Sequence, residues 1–240
     1  MTPPSRTSLA REFGRGMKAL FWLKAVGVPG FMTLFFFGYL YILKHAVFPV
    51  TVMPLTAIDR AIPYQTSAWL LYVSLWIYVQ LPLCLIDRRR ELVRYGWVAA
   101  AVSLVGFAIF VLWPTAVPDV ATGPADSLFE GLRSVDTTGN SCPSLHVAFS
   151  VFTALWIERF LRNTRISGLA RILNVGWCLG IIYSTLATKQ HVMLDACAGG
   201  VLGLVGAAIL ARVEERCREQ VALAPVAPEL AQINPATRKL

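Results

Sequence analysis

The sequence is poor in charge. Asp, Glu, Lys and Arg make up 15% of its 240 residues, against about 25% in an ordinary soluble domain. That shortage excludes a soluble enzyme. The matching excess of apolar residues, 56%, excludes a disordered chain, which cannot bury enough apolar surface to fold. The five cysteines (Cys84, Cys142, Cys178, Cys197 and Cys217) are odd in number and mostly lie in apolar runs, so no disulfide framework is implied. Glycine-rich nucleotide loops, internal repeats and metal-type cysteine spacings are also missing. Acidic residues are outnumbered 14 to 22 by basic ones, for a formal net charge of +8. The basic residues are spread between long apolar segments instead of gathered on one face, which excludes nucleic acid as a partner.

What the chain does have is long apolar runs. A bilayer core needs about 20 mostly apolar residues as helix, and six segments qualify: Lys24 to Lys44, Ala68 to Ile86, Tyr95 to about Val117, Pro143 to about Leu161, about Ala170 to Thr188, and about His191 to Ala211. Open sheet cannot span lipid, so the expected fold is all-α, an integral membrane bundle of six transmembrane helices. The first run is too long, and lacks a clear small-residue cleavage site, for a removed signal peptide; Pro29-Gly30 is expected to kink it or delay its start. Aromatic residues near span ends, such as Tyr95, Trp97 and Trp113, read as an interfacial belt.

Basic residues fix the expected orientation. The N-terminal stretch, the second and fourth connections and the C-terminal stretch hold 18 of the 22 Lys and Arg residues. The alternate connections keep Lys44, Arg60, Arg133 and Lys189, together with Asp59, Asp119, Asp126, Glu130 and Asp136. The positive-inside rule then puts both termini in the cytoplasm. The organisation expected is a cytoplasmic segment over 1–24, a six-span catalytic domain over 25–211, and a flexible cytoplasmic tail over 212–240, where three prolines interrupt any periodicity.

Three ionisable residues fall at the outer ends of the fourth and sixth runs: His146, His191 and Asp195. Intramembrane ionisable residues are functional by default, and these three lie at one face although the orientation argument did not use them. His191 and Asp195 are four apart, which on a helix places them on one side, where a carboxylate fixes the imidazole tautomer. Pro143 suits a first helical turn. Ser144 and the free N–H groups of that turn can hold an anion, and Lys189 adds a cation at the same level. The set fits phosphoryl transfer. A zinc site from the two histidines, Asp195 and Cys142 lacks ligand spacing, so no metal or other cofactor is expected. A proton-coupled transporter would carry its polar residues near the membrane midplane; here they gather at one end.

Pro143-Ser144-Leu145-His146, and Ser184, His191 and Asp195 at their spacing, resemble motifs of the type 2 phosphatidic acid phosphatase superfamily. These are six-span membrane enzymes sharing a helical core with vanadium haloperoxidases. The resemblance covers about Ile62 to Ala211. Leu145 stands where the family usually has Gly, Thr185 where it has Arg, and the first motif, with its lysine and arginine, is missing. These departures resemble the branch containing inositol phosphorylceramide synthases. The resemblance implies His191 as nucleophile, Asp195 orienting it and His146 as general acid. Ser144, Lys189 and Arg133 then hold the phosphate, with Arg60 a second candidate for the missing cations. The implied activity is cleavage of a lipid phosphate or pyrophosphate, with transfer of a phospho-headgroup to a lipid hydroxyl as the alternative. The expected location is a bacterial inner membrane, with the site facing outward. A reporter inserted between Pro118 and Gly139 should be extracytoplasmic and one fused after Arg218 cytoplasmic. Both on one side of the membrane would overturn this topology.

Overall fold

The computed structural model describes residues 9–118, 139–164, 166 and 168–223. The chain is mostly helical. A short helix, α1 (Leu9–Lys18), leads into α2 (Phe21–Lys44). The second pass is broken into α4 (Ala68–Val73), α5 (Leu75–Tyr78) and α6 (Leu81–Leu85), preceded by a single-turn α3 (Ala57–Ala61). Then come α7 (Arg89–Leu112), α8 (Leu145–Asn163), α9 (Gly168–Ala187) and α10 (Met193–Leu223). Five of these passes are long and apolar enough to cross a membrane: α2, the segment Ala68–Leu85, α7, α9 and α10.

The fourth expected span, α8, is helical but less apolar, carrying His146, Glu158, Arg159 and Arg162 in 19 residues. Its position explains the composition. α8 packs most extensively against α10 and α9 and supplies Phe152, Ile157, Leu161, Leu145, Ala148 and Val147 to four of the apolar clusters of the core. A helix surrounded by protein need not be apolar all round. By contrast α2 has no buried residue over 24 positions and is apolar on every side.

Local chemistry moves several boundaries away from the hydropathy expectation. α2 starts at Phe21 and continues through Pro29, so that proline does not delay it. The second pass is not one continuous helix: Pro82 enters at the start of α6, where its missing N–H costs least, and Ser74 turns its hydroxyl onto the Leu71 carbonyl (2.6 Å). α10 begins at Met193, after His191, and continues past Ala211 to Leu223. Residues 212–223 continue that helix. Two polar side chains buried within the bundle bond each other and the backbone. Tyr78 donates to Asn174 Oδ1 (2.7 Å) and Asn174 donates to the Ala154 carbonyl (2.9 Å), joining α5, α9 and α8.

The two ends of the bundle differ. At one end arginines are paired: Arg159 with Glu214 (3.0 Å), Arg162 and Arg171 with Glu158 (both 2.6 Å), and Arg15 with Asp87 (3.0 Å). At the other, loops knit together around Thr115. Strands β1 (Thr51–Val52) and β2 (Thr115–Ala116) pair in parallel, Thr51 opposite Thr115. Thr115, fully buried, also receives the Ser141 N–H on its carbonyl (3.1 Å) and the Cys142 N–H on its hydroxyl (2.7 Å). The loop entering α8 is thus fixed from outside.

The α8–α10 contact depends on missing side chains. A Cβ at Gly199 would collide with the Ser144 carbonyl, and one at Gly203 with the Ala148 carbonyl. Small residues four apart let two helix backbones meet. Gly200, on the same helix, has open space around its Cβ position. Gly203→Val should lower the apparent Tm of the detergent-purified protein, at a cost of about 2 kcal/mol or more for forced overpacking, whereas Gly200→Val should leave it nearly unchanged. Equal Tm for the two variants would contradict the close packing.

Candidate active site

The site is built on a reversal of chain direction between α9 and α10. At the end of α9 the Lys189 N–H bonds the Leu186 carbonyl (3.2 Å) and the Gln190 N–H the Thr185 carbonyl (3.1 Å). That is a Schellman closure, whose left-handed position normally takes glycine. Here Lys189 occupies it, with φ 56°. Its ammonium donates to the carbonyls of Asp59 (2.8 Å) and Ile62 (2.5 Å), which holds the residue in this uncommon conformation. Burial pushes the Lys189 ammonium below the usual lysine range, and the neighbouring Asp59 carboxylate opposes the shift.

Asp59 grips the same turn from the other side. Its Oδ1 accepts the Met193 N–H (2.8 Å), the first N–H of α10, while Oδ2 accepts the Thr56 N–H (2.8 Å) and hydroxyl (2.7 Å). Thr56 and Asp59 form a capping box for α3, a Thr-x-x-Asp pattern readable in the sequence. The tie from α3 to α10 was not readable there.

His191 lies in this turn, before α10, so it does not share a helical face with Asp195 as the four-residue spacing predicts. They meet by another route. Asp195 is the third residue of α10, and its Oδ2 reaches back to accept the Val192 N–H (3.1 Å) and the Ser141 hydroxyl (2.6 Å). His191 Nδ1 stands 3.7 Å from the same oxygen, beyond hydrogen-bond range but within reach of an ion pair if the ring is protonated. Both nitrogens of His191, Oδ1 of Asp195 and both amide atoms of Gln190 are buried without a hydrogen-bond partner. A buried polar atom left unpaired costs about 1–3 kcal/mol, and five such atoms within six residues mark a place built to meet a polar group.

His146, in the first turn of α8, faces this turn. Its ring centroid is 5.6 Å from that of His191 and 4.6 Å from that of Tyr72. Both histidines line a cavity of about 700 Å³ walled by α2, the second pass and α7. Ser144 is placed differently: it caps α8, its hydroxyl accepting the Val147 N–H (3.3 Å), and its own N–H bonds the Asp195 carbonyl (3.0 Å). It is fully buried under α10 and, like Lys189, does not line the cavity. Arg60 is exposed. Arg133 lies outside the described residues. Burial, and then the neighbouring Asp195 carboxylate, push the Cys142 thiol up to about 12, so it stays an S–H group at neutral pH. Sequence reasoning missed Ser141, Gln190 and Tyr72, none of which carries a distinctive spacing of its own, and missed the role of Asp59, whose Thr-x-x-Asp spacing signals only a helix cap.

A family model for the PAP2 superfamily matches residues 54–209, about two thirds of the chain. The chain belongs to the PAP2 superfamily. No curated protein and no solved structure matches it. PAP2 members are phosphatases and phosphotransferases, and the matched region of this one contains every described residue of the site, from Thr56 at the N-cap of α3 to Asp195 in α10.

The latch on the turn can be tested by separating strain from bonding. Lys189→Gly removes the two ammonium bonds but relieves the left-handed strain; Lys189→Met removes the bonds and keeps the strain. Lys189→Met should therefore show the lower apparent Tm, and Asp59→Ala, which leaves the Met193 N–H unpaired, should fall below wild type as well. A Lys189→Met Tm equal to or above that of wild type would show that the latch does not hold the turn.

Proposed function

We propose that this protein is a membrane lipid phosphatase that cleaves a lipid phosphate or pyrophosphate through a phosphohistidine on His191. The observation that carries the reading is the histidine pair. His191, with both ring nitrogens buried and unpaired, stands 5.6 Å ring to ring from His146 at the polar end of a cavity about 700 Å³ in volume.

In the proposed mechanism Nδ1 of His191 faces Asp195, so Nε2 attacks phosphorus. The P–O bond to the lipid breaks as the N–P bond forms, and His146 gives its proton to the leaving oxygen. Positive charge then develops on the His191 ring. The Asp195 carboxylate at 3.7 Å stabilises it, in a site where little water screens the pair. In the second half, water loses a proton to His146 and attacks phosphorus; the N–P bond breaks and phosphate leaves. Splitting one displacement into two lowers each barrier. Stabilising the equatorial oxygens is the remaining need. The Ser144 hydroxyl, the third proton of Lys189, and Arg133 are the proposed donors.

A second reading is transfer of a phospho-headgroup to a lipid hydroxyl, as in inositol phosphorylceramide synthases. It is favoured by Lys189, two of whose three protons are already bound to carbonyls. That leaves one N–H to donate to a free monoester and suits a diester, with fewer charged oxygens, better. The acceptor would then be a sphingolipid-like or diacylglycerol-like alcohol. In either reading the site opens to the outer face of a bacterial inner membrane.

Purified protein incubated with labelled phosphatidate, isoprenyl pyrophosphate or phosphatidylinositol, with and without ceramide or diacylglycerol, separates the readings. Phosphate released without acceptor is the expected result; a labelled lipid formed only with acceptor would reverse the order. His191→Ala should abolish turnover. His146→Ala should cost about a hundredfold or more with an alkoxide leaving group and less with an acidic one, because general-acid help then matters less. Full turnover by His191→Ala would rule out the phosphohistidine.

A further inference from the structure

The cavity does not stop at the histidines. Along α2 its lining positions recur at three- and four-residue steps from Leu23 to Leu40, about 25 Å of helix at 1.5 Å per residue. A bilayer's whole hydrocarbon core is about 30 Å thick, so the cavity is deeper than one leaflet. Its mouth is polar, at His146, His191 and Asn140. Its far end is lined by Lys24, whose ammonium donates to the carbonyls of Gly16 and Ile86 (both 2.6 Å) and so ties α1 and the end of α6 to the base of α2. Between mouth and far end the walls are nearly all apolar, with Gln80 a polar exception.

Two glycines line the lower part of the cavity, Gly27 on α2 and Gly96 on α7. A Cβ built on either meets nothing within 4 Å. This is unlike Gly38 higher on α2, where a Cβ would press on the Phe107 ring at 3.0 Å. Glycine in a helix interior costs stability relative to alanine. At Gly27 and Gly96 no neighbouring group requires its absence of a side chain; what the absence leaves open is the lower part of the cavity.

We propose that the cavity holds the hydrocarbon chain of the substrate lipid and measures its length, with Gly27 and Gly96 as the positions that set the limit. The inference rests on the reading of the histidine pair as the phosphoryl-transfer centre, since that pair fixes the headgroup at the mouth. From Tyr39, whose carbonyl is bound by Asn140 at the mouth (3.0 Å), to Gly27 is about 18 Å along the helix. A short chain ends above the glycines, whereas a long one passes them toward Lys24. The occupant is a hydrocarbon and not a peptide because the walls offer almost no partners for the polar groups of a backbone, which would be left unpaired.

The test compares oleoyl with octanoyl lysophosphatidate in detergent, reading the ratio of their kcat/KM values. In Gly27→Phe and Gly96→Phe the oleoyl-to-octanoyl ratio should fall about tenfold, the equivalent of about two buried methylenes. Ala and Leu at the same positions should give smaller, graded falls. Gly176→Phe, in open space on α9 and away from the cavity, should keep the wild-type ratio. An unchanged ratio in the Gly27 and Gly96 variants, or a parallel loss with both substrates, would overturn the proposal. Should wild type hydrolyse neither substrate, the phosphatase reading fails, and the cavity is tested by binding alone. Oleyl phosphonate should then raise the apparent Tm of wild type more than octyl phosphonate, with the difference gone in Gly96→Phe. Equal shifts in wild type, or a difference that survives in Gly96→Phe, would overturn the cavity assignment.

Discussion

The site depends on one reversal of the chain, the five residues that turn it from α9 into α10. A lysine stands there in the left-handed position that glycine usually fills. It stays because its ammonium is bound to the carbonyls of Asp59 in α3 and of Ile62 at its C-cap, while the Asp59 carboxylate takes the first N–H of α10. Backbone strain on one side and buried hydrogen bonds on the other fix the same few atoms. His191 is carried on that turn, so its position is set by residues more than a hundred positions earlier in the chain.

The second constraint is the closeness of α8 and α10. Gly199 and Gly203 bring the α10 backbone against the carbonyls of Ser144 and Ala148. That contact sets the distance between the helix that carries His146 and the helix that carries Asp195. It also buries Ser144 and Ser141, and Ser141 donates to the carboxylate beside His191. Helix packing and site geometry are therefore one arrangement. α8 tolerates its charged residues because protein, not lipid, surrounds it.

Phosphoryl transfer needs little covalent chemistry from a protein; it needs positioning and charge. Here the polar demand is concentrated at one end of an apolar cavity, where unpaired ring nitrogens and an unpaired carboxylate oxygen are buried together. Electrostatic interactions are stronger where water is excluded, and hydrocarbon walls exclude it. On the proposed reading the same walls select for a ligand with one charged end and one long apolar end, and chemistry and selectivity come from opposite ends of a single space.

The sequence by itself determined the helical class, five of the membrane-length passes, and the gathering of His146, His191 and Asp195 at one end. Each follows from local composition or from alternation along the chain, which no folding is needed to see. It also carried the motif that places the chain in its superfamily. Hydropathy does not show the breaks in the second pass or where α10 ends, because those depend on Pro82, on Ser74 and on helix continuing where apolar residues stop. Spacing put His191 and Asp195 together for the wrong reason: they share a helix cap, not a helix face. Asp59, Ser141 and the task of Lys189 were decided only by tertiary structure. Each acts through a hydrogen bond to a residue far away in the chain, and a bond between distant residues leaves no period or spacing to read.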